Sequence, residues 1–343
     1  MTELRVVLAV LLLVVAAGAQ TVRIGVFGLF HPRSLAVTPA GGVLVMEIAG
    51  QSVSLDRHSA RMHLSGSNIE VTVGSASWHS RRLLIHARDG GPAHFSLSVP
   101  DKIRRKYLGT LEVLARDGQL LPVVSMDQEI AVASIVAVES PPDAPLEALK
   151  ALAVAARSFV VARASGHIDF DFCDTTHCQH LRQPPPDDSP AAQATRATRG
   201  MVLVWHDAVL AAMYTPACGG RTRSLAELGL PARGYPFYSV ECPYCRDHAS
   251  IWTRDLPRPV NGERDRLQFV RERGWSALPG NNYRLQENDG VLRAEGSGLG
   301  HGLGLCERGA AAMAAEAKDF RQVLEHYYPN ATLAAQPALA AAH

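Results

Sequence analysis

The chain changes texture once, near Ser125, and that change sets the fold class. From Thr21 to about Val123 the sequence offers short apolar or alternating runs bounded by glycine and proline, among them 22–26, 42–46, 81–86 and 111–114. Runs of this length with turn residues between them predict the strands of a small sheet region. From Asp127 to Arg163 the chain is alanine-rich, with apolar residues at helical spacing. Runs of strands followed by helices predict an α+β fold. A β-rich N-terminal region over 20–123 is expected to precede a mixed helix-and-sheet domain over 124–332.

Local signals place the helices. Asp127 suits the N-cap of a helix that reaches Glu139, where Ser140-Pro141-Pro142 must stop it. A residue before proline is pushed out of the α region, and proline has no N–H to donate. Asp143 can cap a second helix, with Pro145 tolerated in its first turn. Leu146, Leu149, Ala153, Ala156 and Val160 form one stripe of that helix, and Gly166 suits its C-terminal stop. Met201 to Tyr214 reads as a hairpin turning at His206-Asp207, while 246–290 is mixed and polar and shows no clear element. Two helices are expected near 305–317 and 320–327, with a disordered tail over 333–343.

Residues 1–19 read as a signal peptide. One basic residue, Arg5, precedes an unbroken apolar run from Val6 to Ala17, and Ala17-Gly18-Ala19 supplies the small-x-small cleavage pattern. A spanning helix needs about 20 apolar residues, so an uncleaved tether is the weaker reading. The chain is therefore expected to be exported, to the periplasm or cell envelope. With 34 basic against 33 acidic residues, a nucleic-acid-binding stripe is not expected.

Glu139 is the leading candidate for chemistry. It ends an otherwise uncharged helical stretch, and shares a face with Val132 and Val136. Apolar surroundings and the negative end of a helix dipole both raise a carboxyl pKa. A Glu kept protonated near neutrality is what a general acid in glycoside cleavage requires. The competing reading is a solvated Glu at a frayed helix end.

Five stretches together carry a resemblance. They are Ile130–Pro142 continuing through Ala144–Phe159, Phe172–Gln179, Tyr214–Thr222, Gly298–Gly304 running on to Gly309-Ala310, and Phe320–Pro329. In this order they resemble the stage II sporulation protein D family, over roughly residues 105–332. The resemblance implies a lytic transglycosylase that cuts peptidoglycan glycan strands, with the catalytic Glu at Glu139. The substrate's own C6 hydroxyl attacks the anomeric carbon, so one carboxyl can serve as acid and then base, leaving a 1,6-anhydro product. Some relatives instead enhance a partner amidase without cutting, and that non-catalytic role is the alternative. After the Gly-His-Gly motif the family usually has Ser-Gln and an aromatic residue, whereas this chain has Cys306-Glu307-Arg308.

Further candidates surround this core. Gly300, His301 and Gly302 suit a sugar-binding loop with His301 as hydrogen-bond donor, or a tight turn before a helix. Gly219 and Gly220 join them as expected substrate contacts. Arg157, inside an apolar helix, reads first as a buried ion pair and second as a substrate contact. His167, Cys173, His177 and Cys178 lie within twelve residues, a soft-ligand cluster that favours zinc over a disulfide. A Cys178–His177 protease is a poor reading, since adjacent residues seldom orient as nucleophile and base. Cys242-Pro-Tyr-Cys245 suits a metal knuckle, a redox pair or a disulfide, and is taken as structural, with Cys218 near it.

Overall fold

The computed structural model of the chain describes residues 20–336 except 57, 163–166, 176–177, 232–234 and 236. The expected signal peptide, the Gly166 stop and His177 lie outside the described residues. Strands and helices follow one another as the α+β reading requires.

Twelve strands between Thr21 and Asp127 make up most of two sheets. Strand alternation is plain where one face is buried: in Ala60–Ser65 every second residue points into the core and the others face water. One sheet of six strands runs from Ile103–Leu108 at one edge to Ala76–Ser80 at the other. The other has seven, and its edge strand, Phe172–Cys173, pairs in parallel with Thr21–Gly25. The sheet region and the following domain are thus stitched together, and the core itself runs across position 123.

Helix α1 (Gln128–Glu139) follows directly from the strand Gln119–Asp127. Helix α2 (Leu146–Ala162) is the spine of the molecule. Its Leu149, Ala153, Ala156 and Val160 face the core shared with the sheets, as the stripe predicts. Its Ala148, Ala151, Val154 and Ala155 face a second core built from 203–328. A helix apolar on both sides is a buried helix, and the alanines let other backbones pack close. Leu146 departs from the stripe and stays exposed at the helix start.

Helix α3 (Pro190–Ala197) leads to Met201–Trp205, the centre of a three-stranded sheet. The hairpin turns at His206-Asp207 as expected, both residues with positive φ, but its return strand is only Ala208–Val209. Tyr214–Thr215 leaves the hairpin and pairs in parallel with Leu305–Cys306. Thr332–Ala335, whose last three residues fall in the expected disordered tail, is a strand on the other side of Met201–Trp205. Gln336 closes that end, donating its N–H to Gly200 O at 2.7 Å and accepting from Gln128 Nε2 at 2.8 Å.

After the short helix α4 (Pro243–Asp247), the stretch 246–290 resolves into a small unit. Ile251–Leu256, Asn282–Asn288 and Val291–Ser297 form an antiparallel sheet covered by α5 (Gly262–Arg273), around a core of Trp252, Phe269, Val270 and Leu278. Helices α6 (Glu307–Ala315) and α7 (Phe320–Tyr327) close the domain.

Candidate active site

Helix α1 brings Glu139 to its place. Asp127 Oδ1 caps the helix, accepting from Glu129 N at 2.8 Å and Ile130 N at 3.2 Å. Ser140 turns out of the helix into extended backbone, so Glu139 is the last helical residue. Its side chain is 18% exposed. Burial pushes its carboxyl up to about 7, against a smaller opposing pull from Arg182. His180 Nδ1 stands 3.6 Å from Glu139 Oε1. Burial first, then the charges of Arg182 and Arg105, push His180 down to about 4, so it is a neutral ring at neutral pH. Glu139 can therefore both hold and release a proton near neutrality.

Glu307 is the residue that sequence reasoning did not place here. The pairing of Leu305–Cys306 with Tyr214–Thr215 sets it at the start of α6. It is buried, and its Oε1 has no hydrogen-bond partner among the described residues. Burial, and secondarily the charge of Glu139, raise its carboxyl well above the usual range. Burial also raises Tyr214, with Glu139 and Glu307 adding to it, and the Tyr214 hydroxyl donates to Gln179 Oε1. The only sequence signal was that Glu307 stands where the family has Gln.

His180 and Arg182 also wall an open groove with Phe27, Phe30, Arg105 and Trp275. Arg105 is held by Asp174 at 2.7 Å. Leu29 and Trp275 stand exposed at the rim, and Arg266 lies 5.9 Å from the Trp275 ring centre. A larger hollow at Gly41–Val43, Ala87–Asp89 and His94 lies in the N-terminal sheets and includes none of these residues.

Arg157 lies inside the protein. It is fully buried, and its guanidinium forks onto Glu129 at 2.8 and 2.7 Å. Its remaining donors reach Met201 O at 3.1 Å and Thr195 O at 3.2 Å. Every donor direction is used inside the protein, in the buried ion pair that was the first reading of this residue.

The glycines at 219 and 298–304 serve the chain's own packing. A Cβ on Gly298 would stand 2.6 Å from Ala217 O, and one on Gly219 would stand 2.7 Å from Ser297 O. One on Gly300 would stand 2.7 Å from Thr215 Oγ1, and one on Gly302 would stand 3.0 Å from Arg223 Cγ. Gly220, with φ of 117°, has Arg246 at 3.6 Å. The loop is threaded between two backbone stretches, bridging Ala217 through Leu299 and Gly280 through Gly300. His301 lines a narrow cleft there with Asn281, Asn282 and Arg223. Its Nδ1 accepts from Leu303 N at 2.9 Å, which assigns the ring proton to Nε2, and burial pushes its pKa down to about 4. Among the described residues no hydrogen bond or ion pair joins His301 to Glu139.

Residues 116–205 match the family model described as stage II sporulation protein. The chain carries a SpoIID domain. The matched span holds Glu139, Arg157 and the 167–178 segment, and the domain links the chain to cell-wall degradation. The chain is also 26% identical over 261 residues to an uncharacterized protein of Brachyspira hyodysenteriae, covering 65% of this chain and 71% of that protein.

Two clusters of thiol-bearing residues converge elsewhere in the chain. His167, Cys173 and Cys178 bring their ligand atoms within 4.8 Å of one another, with His167 Nε2 3.2 Å from Cys178 Sγ. Cys218, Cys242, Cys245 and Cys306 form a second, fully buried group of four, also within 4.8 Å, that could hold a metal ion. Sequence reasoning placed Cys218 near the Cys242–Cys245 pair but did not include Cys306.

Proposed function

We propose that the chain is an exported lytic transglycosylase that cuts the glycan strands of peptidoglycan, with Glu139 as its acid and base. One observation carries the reading: a carboxyl with its pKa at about 7 ends α1 beside His180 and Arg182, which wall an open groove. The apolar run 6–17 supports export, and the SpoIID domain supports a cell-wall substrate.

In the reaction Glu139 gives its proton to the glycosidic oxygen as the bond from that oxygen to C1 breaks. The C6 hydroxyl of the same sugar forms a bond to C1, and the Glu139 carboxylate takes the hydroxyl proton. The carboxyl ends as it began, and the product carries a 1,6-anhydro ring. A hydrolase would need a second carboxylate to activate water or attack the sugar. Glu307 is a poor candidate, because it is buried and its Oε1 is sealed from solvent.

We also propose that zinc binds His167, Cys173 and Cys178, with His177 as the fourth donor. Three nitrogen and sulfur ligands already converge, and the set suits a tetrahedral ion. The ion would fix the segment that brings His180 to Glu139 and Gln179 to Tyr214. Zinc content of the Cys173→Ser/Cys178→Ser variant tests it: retention of every zinc ion bound by the parent protein refutes this site.

The activity test is to incubate the purified protein with glycan strands, with and without stem peptides, and to weigh the products. Anhydro ends, lighter than hydrolysed ends by one water, support the proposal. Hydrated reducing ends would make the protein a hydrolase. Binding without cleavage would make it a non-catalytic helper of a cell-wall amidase.

A further inference from the structure

We propose that Cys218, Cys242, Cys245 and Cys306 bind a single structural zinc ion that clamps together three segments distant in sequence. The four sulfurs come from the Pro216–Gly220 turn, the start of α4 and the residue before α6. In α4, Pro243 begins the helix, and the two-residue gap puts Cys242 and Cys245 one turn apart on the same side. The parallel pairing of Tyr214–Thr215 with Leu305–Cys306 brings Cys306 to the same point.

The spacing fits one ion. With zinc–sulfur bonds of about 2.3 Å, the corners of a tetrahedron lie ~3.8 Å apart. Cys245 Sγ and Cys306 Sγ are 3.5 Å apart, and all four sulfurs lie within 4.8 Å. None of the four forms a disulfide. Disulfides would divide the group into pairs at about 2.05 Å, whereas here four sulfurs converge. Full burial and four sulfur ligands leave no open position, which marks a structural site.

A supporting shell is present as well. Cys218 N donates to Cys306 Sγ at 3.4 Å, and Tyr327 Oη lies 3.4 Å from Cys242 Sγ. Residue 309 must be glycine for this arrangement, since a Cβ there would stand 2.6 Å from Cys242 Sγ and still closer to the Tyr327 hydroxyl. On binding, four thiols form four zinc–sulfur bonds and release four protons to solvent, with no change of oxidation state. Cys306 adjoins Glu307, and Cys218 adjoins Gly219 in the packed glycine loop, so the clamp ties both to α4.

The test uses the full chain purified without a histidine tag. Zinc per chain should fall by one equivalent in Cys242→Ser/Cys245→Ser, and this ion should remain in Cys173→Ser/Cys178→Ser. Cobalt-loaded protein should show thiolate-to-cobalt absorption in Cys173→Ser/Cys178→Ser, and the first variant should lose that share of the parent's absorption. Should the first variant fail to fold, the parent protein still decides. Cys218, Cys242, Cys245 and Cys306 should resist alkylation until a chelator is added, then react about tenfold faster or more. A disulfide among the four, unchanged zinc content in a folded first variant, or alkylation at one rate with and without chelator would each overturn the proposal.

Discussion

His180 faces Glu139 across 3.6 Å, yet the two form no ion pair at neutral pH. The same burial that lowers the imidazole pKa raises the carboxyl pKa, so each group favours its neutral form. Arg182 opposes the rise at Glu139, and the charge of Glu139 in turn raises Tyr214 and Glu307. A carboxyl raised from 4.5 to about 7 binds its proton more tightly in the folded state. Its contribution to stability is therefore full below the unfolded value and is lost as pH rises through about 7. At high pH the loss is on the order of 3 kcal/mol. Glu139→Gln should thus be more stable than the parent at pH 8 by roughly 2–3 kcal/mol, and by less than about 1 at pH 5. Urea unfolding at both pH values checks this, and an equal gain at both would contradict it.

Arg157 and Glu129 should behave as a buried pair. Arg157→Ala strands a carboxylate that is 16% exposed and orphans the Met201 and Thr195 carbonyls. A loss of about 3–5 kcal/mol is expected. Arg157→Lys should recover little of it, because an ammonium cannot make the two-pronged contact. Denaturant midpoints measure both. Full stability with lost glycan binding would instead support a substrate-contact role for Arg157.

Trp275 offers a flat face at the groove rim, 49% exposed. Such faces suit the apolar side of a sugar ring. Trp275→Ala should weaken strand binding about tenfold, or ~1.4 kcal/mol, while the maximal cleavage rate holds. Binding measured by calorimetry on an uncut strand separates the two. An unchanged affinity would remove the rim from the binding surface.

What the sequence made legible was local. Asp127, the apolar stretch and the Ser140-Pro141-Pro142 stop each act within a few residues, and together they define α1 and put Glu139 at its end. The alanine stripe of α2 was legible for one face. Its second buried face was not, because alanine is neutral between packed and exposed settings until a partner is known. The stretch 246–290 hid its elements because its core is small and Asn282–Asn288 carries mostly polar residues. The four-cysteine group could not be read from spacing, since Cys218 and Cys306 reach Cys242 and Cys245 only through tertiary pairing. The glycines were ambiguous for a related reason: a requirement for close backbone approach does not say whether the visitor is a sugar or another strand of the same chain.

The central claim is that Glu139 supplies and recovers the proton of glycan cleavage, and one substitution tests it. Glu139→Gln keeps the size and hydrogen-bonding outline of the side chain and removes the transferable proton. General acid–base catalysis contributes about 10²–10⁴-fold, so anhydro-product formation from peptide-free glycan strands should fall by at least about 10²-fold. Strand binding should persist, because the groove walls are untouched. Near-normal release of anhydro ends by a folded Glu139→Gln protein, followed by mass spectrometry, would contradict the account and remove Glu139 from the chemistry.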